Sequence, residues 1–201
     1  DNRHAGLSQI IIDLKRDGAK IRPIKNMAGG EDFNEVVFED VIVPKDRIVG
    51  EAGNGWAQVT SELAYERSGP ERFLSAFRVF VELVRFCGPE PTQYQATVIG
   101  RIASHIMTLR RMSISVAGML ESGKDVVVEA ALVKELGNNF EKLLPELARV
   151  VGSDGFSDFS RDGDLFRRTF EDTMLLSPSF TLRGGTREIL RGVIARGLGL
   201  R

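Results

Sequence analysis

The residues best placed to do chemistry lie in the stretch Gly55 to Phe86, where Glu66 and Arg67 stand side by side. The large apolar residues of this stretch are Trp56, Val59, Leu63, Phe73, Phe77, Val81 and Val84. Spacings of three and four mark one buried helix face. Continued from Leu63 towards Phe73, that stripe passes through Glu66 and Pro70, so a carboxylate falls where an apolar residue is expected. A carboxylate without a partner in apolar surroundings resists ionisation, and carboxylates so placed are candidate general bases. A structural ion pair, with Arg67 or with a neighbouring helix, explains the same position without catalysis. Pro70 removes a backbone donor and crowds the carbonyl of Glu66, which predicts a kink there.

Other polar positions carry weaker signals. Gly152-Ser153-Asp154-Gly155 reads as a helix stop or as a place where backbone approaches a nucleotide closely. Arg183-Gly184-Gly185-Thr186, ahead of a helical pattern, could present free N–H groups to an anion. His105 lies among apolar residues and reads as a hydrogen-bonded core or interface histidine, while His4 carries no signal. Arg110-Arg111 and Arg167-Arg168 read as solvated faces. No cluster of His, Cys, Asp and Glu has metal-ligand spacing, so no metal is expected.

The elements that must position these residues change in character along the chain. Leu7–Leu14, with Ile10-Ile11-Ile12, Ala19–Ile24, and Phe33–Val43 read as strands separated by turn signals at Asp17-Gly18 and Gly29-Gly30. From Asn54 onward the pattern is helical. A helix is expected over about Thr92–Glu121, with Tyr94, Val98, Ile102, Ile106, Leu109 and Val116 on its buried face. The next, which Asp125 can cap, has the stripe Val128, Leu132, Leu136, Phe140, Leu143, Leu147 and Val150. Shorter helices follow around Asp164–Leu176 and Thr186–Leu198. The expected fold is mainly α. A C-terminal four-helix bundle (residues 50–201) follows a few antiparallel strands of a truncated β domain (residues 1–49). Strands so few leave exposed edges, and the chain opens at Asp1 rather than at Met, so it reads as a piece of a longer protein.

Composition narrows the functional classes. The 201 residues are 42% hydrophobic and 27% charged, ordinary for a soluble globular protein. With 27 basic and 28 acidic residues the net charge is -1, which disfavours a broad nucleic-acid surface. Cys87 is the only cysteine. No internal disulfide can form, and an intracellular, cytoplasmic setting is expected. No apolar run is long enough to enter a membrane as a span.

Taken together, the segments resemble the acyl-CoA dehydrogenase family over nearly the whole chain. Phe33-Asn34-Glu35-Val36-Val37-Phe38-Glu39-Asp40-Val41-Ile42-Val43-Pro44 is similar to that family's last middle-domain strand. Val49-Gly50-Glu51-Ala52-Gly53-Asn54-Gly55-Trp56 resembles its entry to the C-terminal domain, and Gly184-Gly185-Thr186-Arg187-Glu188-Ile189-Leu190-Arg191 its closing motif. The resemblance implies FAD as cofactor and an acyl-CoA thioester as substrate in fatty acid metabolism. A carboxylate takes the α proton, and a hydride leaves the β carbon for the flavin. In many members the base directly precedes the Gly-Thr of the closing motif; here that position is Gly184. Other members carry it on the first bundle helix, just before an Arg, which selects Glu66 as base and Arg67 as a substrate-binding residue. Gly184→Glu on a Glu66→Gln background, restoring the commoner carboxylate, is then a complementary test, in which partial rescue would indicate correctly placed flavin and thioester.

The resemblance also implies cofactor contacts at Arg85, Gln95, Arg149, Gly152, Gly155, Thr186 and Glu188. Departures accompany it. Val84 and Cys87 stand where an Arg and a Phe usually serve the flavin pyrophosphate, with Arg85 one residue away. Ser153 replaces a Gly, Arg149 a frequent Gln, and residues 177–180 read as an insertion. The expected function is flavin-dependent α,β-dehydrogenation by the full-length protein, the isolated chain being inactive. The alternative is a catalytically weak subunit that serves as structural partner of an active homologue. Assembly as a homo-oligomer (a dimer, or a dimer of dimers forming a homotetramer) or with a homologue is expected through the bundle, with Ile99, Ile114 and Val133 as apolar residues outside the main stripes.

Overall fold

The computed structural model describes residues 4–153 and 161–200. Two compact units divide the chain, Asp1–Leu63 and Ala64–Arg201. In the first, strands β1 (Ala19–Ile24) and β2 (Phe33–Phe38) form a two-stranded antiparallel sheet, with Ala19 opposite Phe38 and Ile24 opposite Phe33. Leu7–Leu14, expected as a strand, makes only isolated bridges, Leu7 to Asn54 and Ile10 to Ile48. The strand expected to reach Val43 stops at Phe38, two residues before Asp40 adopts φ 51 and turns the backbone out of the extended region.

The helices are α1 (Gly55–Ser68), α2 (Phe77–Cys87), α3 (Gln93–Glu121), α4 (Val127–Val151), α5 (Arg161–Leu176) and α6 (Arg187–Gly197). Single 3-10 turns at Pro70–Arg72 and Ser177–Thr181 join α1 to α2 and α5 to the segment before α6. Mainly α architecture with a small antiparallel sheet is thus the fold. Pro70 ends a helix instead of kinking one: it is the first residue of the 3-10 turn, where its missing N–H has no role. α3 is fixed at its start by Thr92, whose hydroxyl accepts from the Gln95 N–H while Gln95 accepts from the Thr92 N–H. Gly123, at φ 73, follows its last turn. The Asp125 carboxylate accepts from the Val127 N–H at the start of α4.

In the second unit α4 runs through the middle, against α2, α3, α5, α6 and both 3-10 turns. The core gathers Phe73, Val79 and Leu83, then Val98, Ile102, Leu109 and Val116 from α3, and Val133, Phe140 and Leu144 from α4. Phe166, Phe170 and Phe180 complete it. Each such side chain contributes about 1.5–3 kcal/mol by leaving water. The buried side of α2 is Val79, Glu82 and Leu83, whereas Phe77 and Val84 of the expected stripe are exposed. Tyr94 on α3 is exposed too. α4 differs most: Leu136 and Val150 face out, while Lys134, Glu135, Asn138 and Glu141 lie inside. Val133, expected among surface apolar residues, is wholly buried, while Ile114 is exposed. His105 stacks on Phe140 with ring centroids 5.5 Å apart. Among the described residues, no helix is long and apolar enough to cross a membrane.

Candidate active site

Because α1 and α2 are separate helices, the apolar stripe of one does not continue into the other. Glu66, on the last turn of α1, is therefore not buried: 42% of its side chain is exposed. Its Oε1 accepts from Arg72 Nη2 at 2.8 Å, and its backbone carbonyl accepts from Arg72 Nε at 2.7 Å. Arg72 itself is only 9% exposed in its side chain and also lies 3.4 Å from Glu71. The ion-pair alternative thus has a partner, and it is Arg72 rather than the adjacent Arg67.

Arg67 is buried and turns towards the segment before α6, where its Nε donates to the Gly184 carbonyl at 3.2 Å. Burial pushes its guanidinium below the ordinary arginine range, offset in part by Glu66. Gly184 and Gly185 have φ of 68 and 105, a left-handed stretch open to glycine and strained for other residues. A Cβ on Gly184 would come within 3.3 Å of Arg72 Cζ and 3.4 Å of Lys134 Cε. The fold thereby brings Glu66, Arg67, Arg72, the Gly184-Gly185 turn and Lys134 into one group.

Sequence reading missed Lys134, Arg72 and Glu141, and took Arg183 only as the first residue of the Arg183-Gly184-Gly185-Thr186 motif. Lys134 Nζ donates to Asn138 Oδ1 at 2.5 Å and to the Phe180 carbonyl at 3.0 Å. Burial pushes its ammonium down to about 8, a shift that Glu141 opposes and Arg183 and Arg72 reinforce. Glu141, fully buried, accepts from the Ser75 N–H at 2.9 Å and from Arg183 Nη2 at 3.2 Å. Arg183 also bonds the Ser75 hydroxyl and the Glu71 carbonyl, and stands 5.1 Å from the Phe180 ring centroid. Lys134, Asn138 and Glu141 share one helix face by spacing alone, but a search for apolar stripes passes over them. Arg72 lies in a 3-10 turn, where no helical period applies.

The residues expected to hold FAD make local contacts within this chain. Arg85 pairs with the buried Glu82 at 2.8 Å, Arg149 with Glu146 at 3.0 Å, and Gln95 caps α3. A Cβ on Gly152 would overlap the Phe166 ring, so close helix packing explains that glycine. Thr186 is the N-cap residue of α6. The carboxylate of Glu188 is held below the usual range by its own backbone N–H and by the Thr186 hydroxyl. It therefore sits where an anion would bind the helix start. Gly155 lies outside the described residues. The side chains of Arg85 and Arg149 stay 60% and 54% exposed beside Glu82 and Glu146. Among the described residues no group of His, Cys, Asp and Glu could hold a metal ion.

Residues 53–199 match the family described as "Acyl-CoA dehydrogenase, C-terminal domain", and the chain belongs to the acyl-CoA dehydrogenase family. It is 32% identical over 203 residues to acyl-CoA dehydrogenase IpdE1 of Mycobacterium tuberculosis (strain ATCC 25618 / H37Rv), covering 98% of this chain and 52% of that protein. Among solved structures it resembles a steroid acyl-CoA dehydrogenase variant with TM-score 0.83 at 21% identity, over 100% of this chain and 55% of that one. It also resembles a chain of the ChsE4-ChsE5 complex from Mycobacterium tuberculosis, with TM-score 0.77 at 24% identity, over 98% and 54% of the two chains. At those identities the structures speak to fold alone. The chain spans about half the length of the curated relatives it matches.

Proposed function

We propose that the full-length protein is an acyl-CoA dehydrogenase in which Glu66 takes the α proton of an acyl-CoA thioester. The observation that carries this reading is the setting of Glu66. Its carboxylate is open on one side, gripped by a buried arginine on the other, and stands by a turn whose Gly184 lacks the carboxylate many members use. An open carboxylate held in one orientation can reach a bound substrate, as proton abstraction demands. Arg67, beside it, fixes the Gly184 turn through its carbonyl. FAD is the hydride acceptor that family membership implies. Its contacts are expected largely across a subunit interface, with Arg85, Gln95, Arg149, Gly152, Gly155, Thr186 and Glu188 as this chain's share.

Glu66→Gln in the full-length protein tests the reading, because it keeps shape while removing the basic carboxylate. Turnover is expected to fall on the order of 10²–10⁴-fold with flavin content and acyl-CoA binding little changed. Parental turnover in a folded, flavin-loaded variant would overturn it.

Val84 and Cys87 at the flavin pyrophosphate positions, with Gly184 in place of the commoner carboxylate, favour a second reading, a weakly active subunit that supports an active homologue. Purification of the full-length protein separates the two. A yellow protein bleached by acyl-CoA supports the enzyme, and a colourless one that copurifies with a homologue supports the partner. Homo-oligomeric and mixed assemblies are distinguished by the same purification.

A further inference from the structure

We propose that Arg72 is the positioning residue of this site, setting the Glu66 carboxylate in its working orientation, and that Gly137 and Gly184 are the openings that admit it. This rests on the reading of Glu66 as base.

Three features of the structure support the assignment. Arg72 grips Glu66 twice, at the backbone carbonyl through Nε (2.7 Å) and at the carboxylate through Nη2 (2.8 Å). The backbone contact fixes the guanidinium against the end of α1, so that its second N–H holds the Glu66 carboxylate from a set position, which a free surface ion pair does not. Arg72 is itself anchored. Its backbone lies against α4 at Gly137, where a Cβ would overlap the Arg72 carbonyl oxygen. Its guanidinium fills the space beside Gly184, 3.3 Å from where a Cβ would stand. Loss of a side chain at 184 and placement of a guanidinium behind Glu66 are therefore one arrangement. The charged groups that interact with Glu66 are Arg67 on α1, Arg72 on the 3-10 turn and Lys134 on α4, and Glu71 pairs with Arg72 from the same turn. Of the ion pairs and side-chain hydrogen bonds described for its carboxylate, Arg72 supplies each one.

The test uses the full-length protein carrying Arg72→Ala, Arg72→Lys, Glu66→Gln and the double change Arg72→Ala/Glu66→Gln. Displacing a positioned group by about 1 Å can cost on the order of 10²-fold in rate. Arg72→Ala is therefore expected to lower kcat on that scale with KM and calorimetric acyl-CoA affinity nearly unchanged. Millimolar guanidinium should restore part of the rate, and Arg72→Lys, which cannot make both contacts, should fall between. In the Glu66→Gln background Arg72→Ala should add little, since the two act as a unit. Parental kcat in Arg72→Ala, or in Arg72→Lys should the alanine variant not fold, would overturn the proposal while leaving Glu66 as base. Fully additive losses would overturn it as well. Parental kcat in Glu66→Gln would overturn both the base and its positioning residue.

Discussion

Glu141 in the middle of α4 and Arg183 ahead of α6 share a charge inside the bundle: Arg183 Nη2 lies 3.2 Å from Glu141 Oε1, and the Glu141 side chain is 0% exposed. The Ser75 N–H supplies the second bond to the same oxygen. The pair ties three parts of the second unit together: the turn before α2, α4 and the segment leading to α6.

Removing one member strands the other. Arg183→Met leaves the buried Glu141 carboxylate with a single backbone donor, and because the Arg183 side chain is 36% exposed the cost is expected below the roughly 3–5 kcal/mol of a fully buried pair. Arg183→Met/Glu141→Leu is expected to regain most of that loss, because an apolar pair replaces a charged one. Urea denaturation of the four proteins checks this. Equal stability of parent and Arg183→Met would show the pair to be idle.

Lys134 makes stability depend on pH. Its ammonium sits at about 8 in the folded chain against 10.5 for the ordinary lysine. Between those values the unfolded chain holds a proton that the folded chain has released. Stability from this group therefore rises with pH across that window, by up to about 1.4 kcal/mol per pH unit, and is flat below it. Denaturation of parent and Lys134→Met at a pH below the window and at one within it measures the difference. The gain of the parent over the variant is expected to grow with pH.

Gly184→Glu, which family resemblance alone suggests as a rescue, is expected to fail. The position has φ 68, and a side chain there meets Arg72 and Lys134 directly. Holding a non-glycine residue in that region costs about 1–3 kcal/mol. The new carboxylate would also compete with Glu66 for Arg72. In the Glu66→Gln protein, Gly184→Glu should lower the melting temperature without restoring turnover. Recovery of turnover would mean that the turn relaxes and that Arg72 is not confined.

The elements were largely legible in the sequence, and the side-chain environment of the site was not. α3 was readable because its period is unbroken and Val98, Ile102, Leu109 and Val116 do face inward. The α4 stripe was right at Phe140 and wrong at Leu136 and Val150, which are exposed, since Lys134 and Asn138 are buried as a pair and Glu141 is buried against Arg183 rather than by apolarity. Glu66 was singled out by a stripe that the structure interrupts at Pro70. The residue was visible; its exposure and its hold on Arg72 were not, because the partner comes from a 3-10 turn with no period of its own. Arg85 and Gln95 were selected by resemblance, and their local bonds to Glu82 and Thr92 were not legible from it.

The β1–β2 hairpin has a practical consequence. Ile21, Ile24, Phe33, Val36, Val37 and Phe38 are all exposed on a sheet of two strands. Such a sheet has two open edges and no apolar face covered, and a lone hairpin is marginal in water. Expressed by itself, this chain should be prone to aggregate through that hairpin, and trimming to the bundle or charged substitutions at Phe33 and Val37 should keep it in solution.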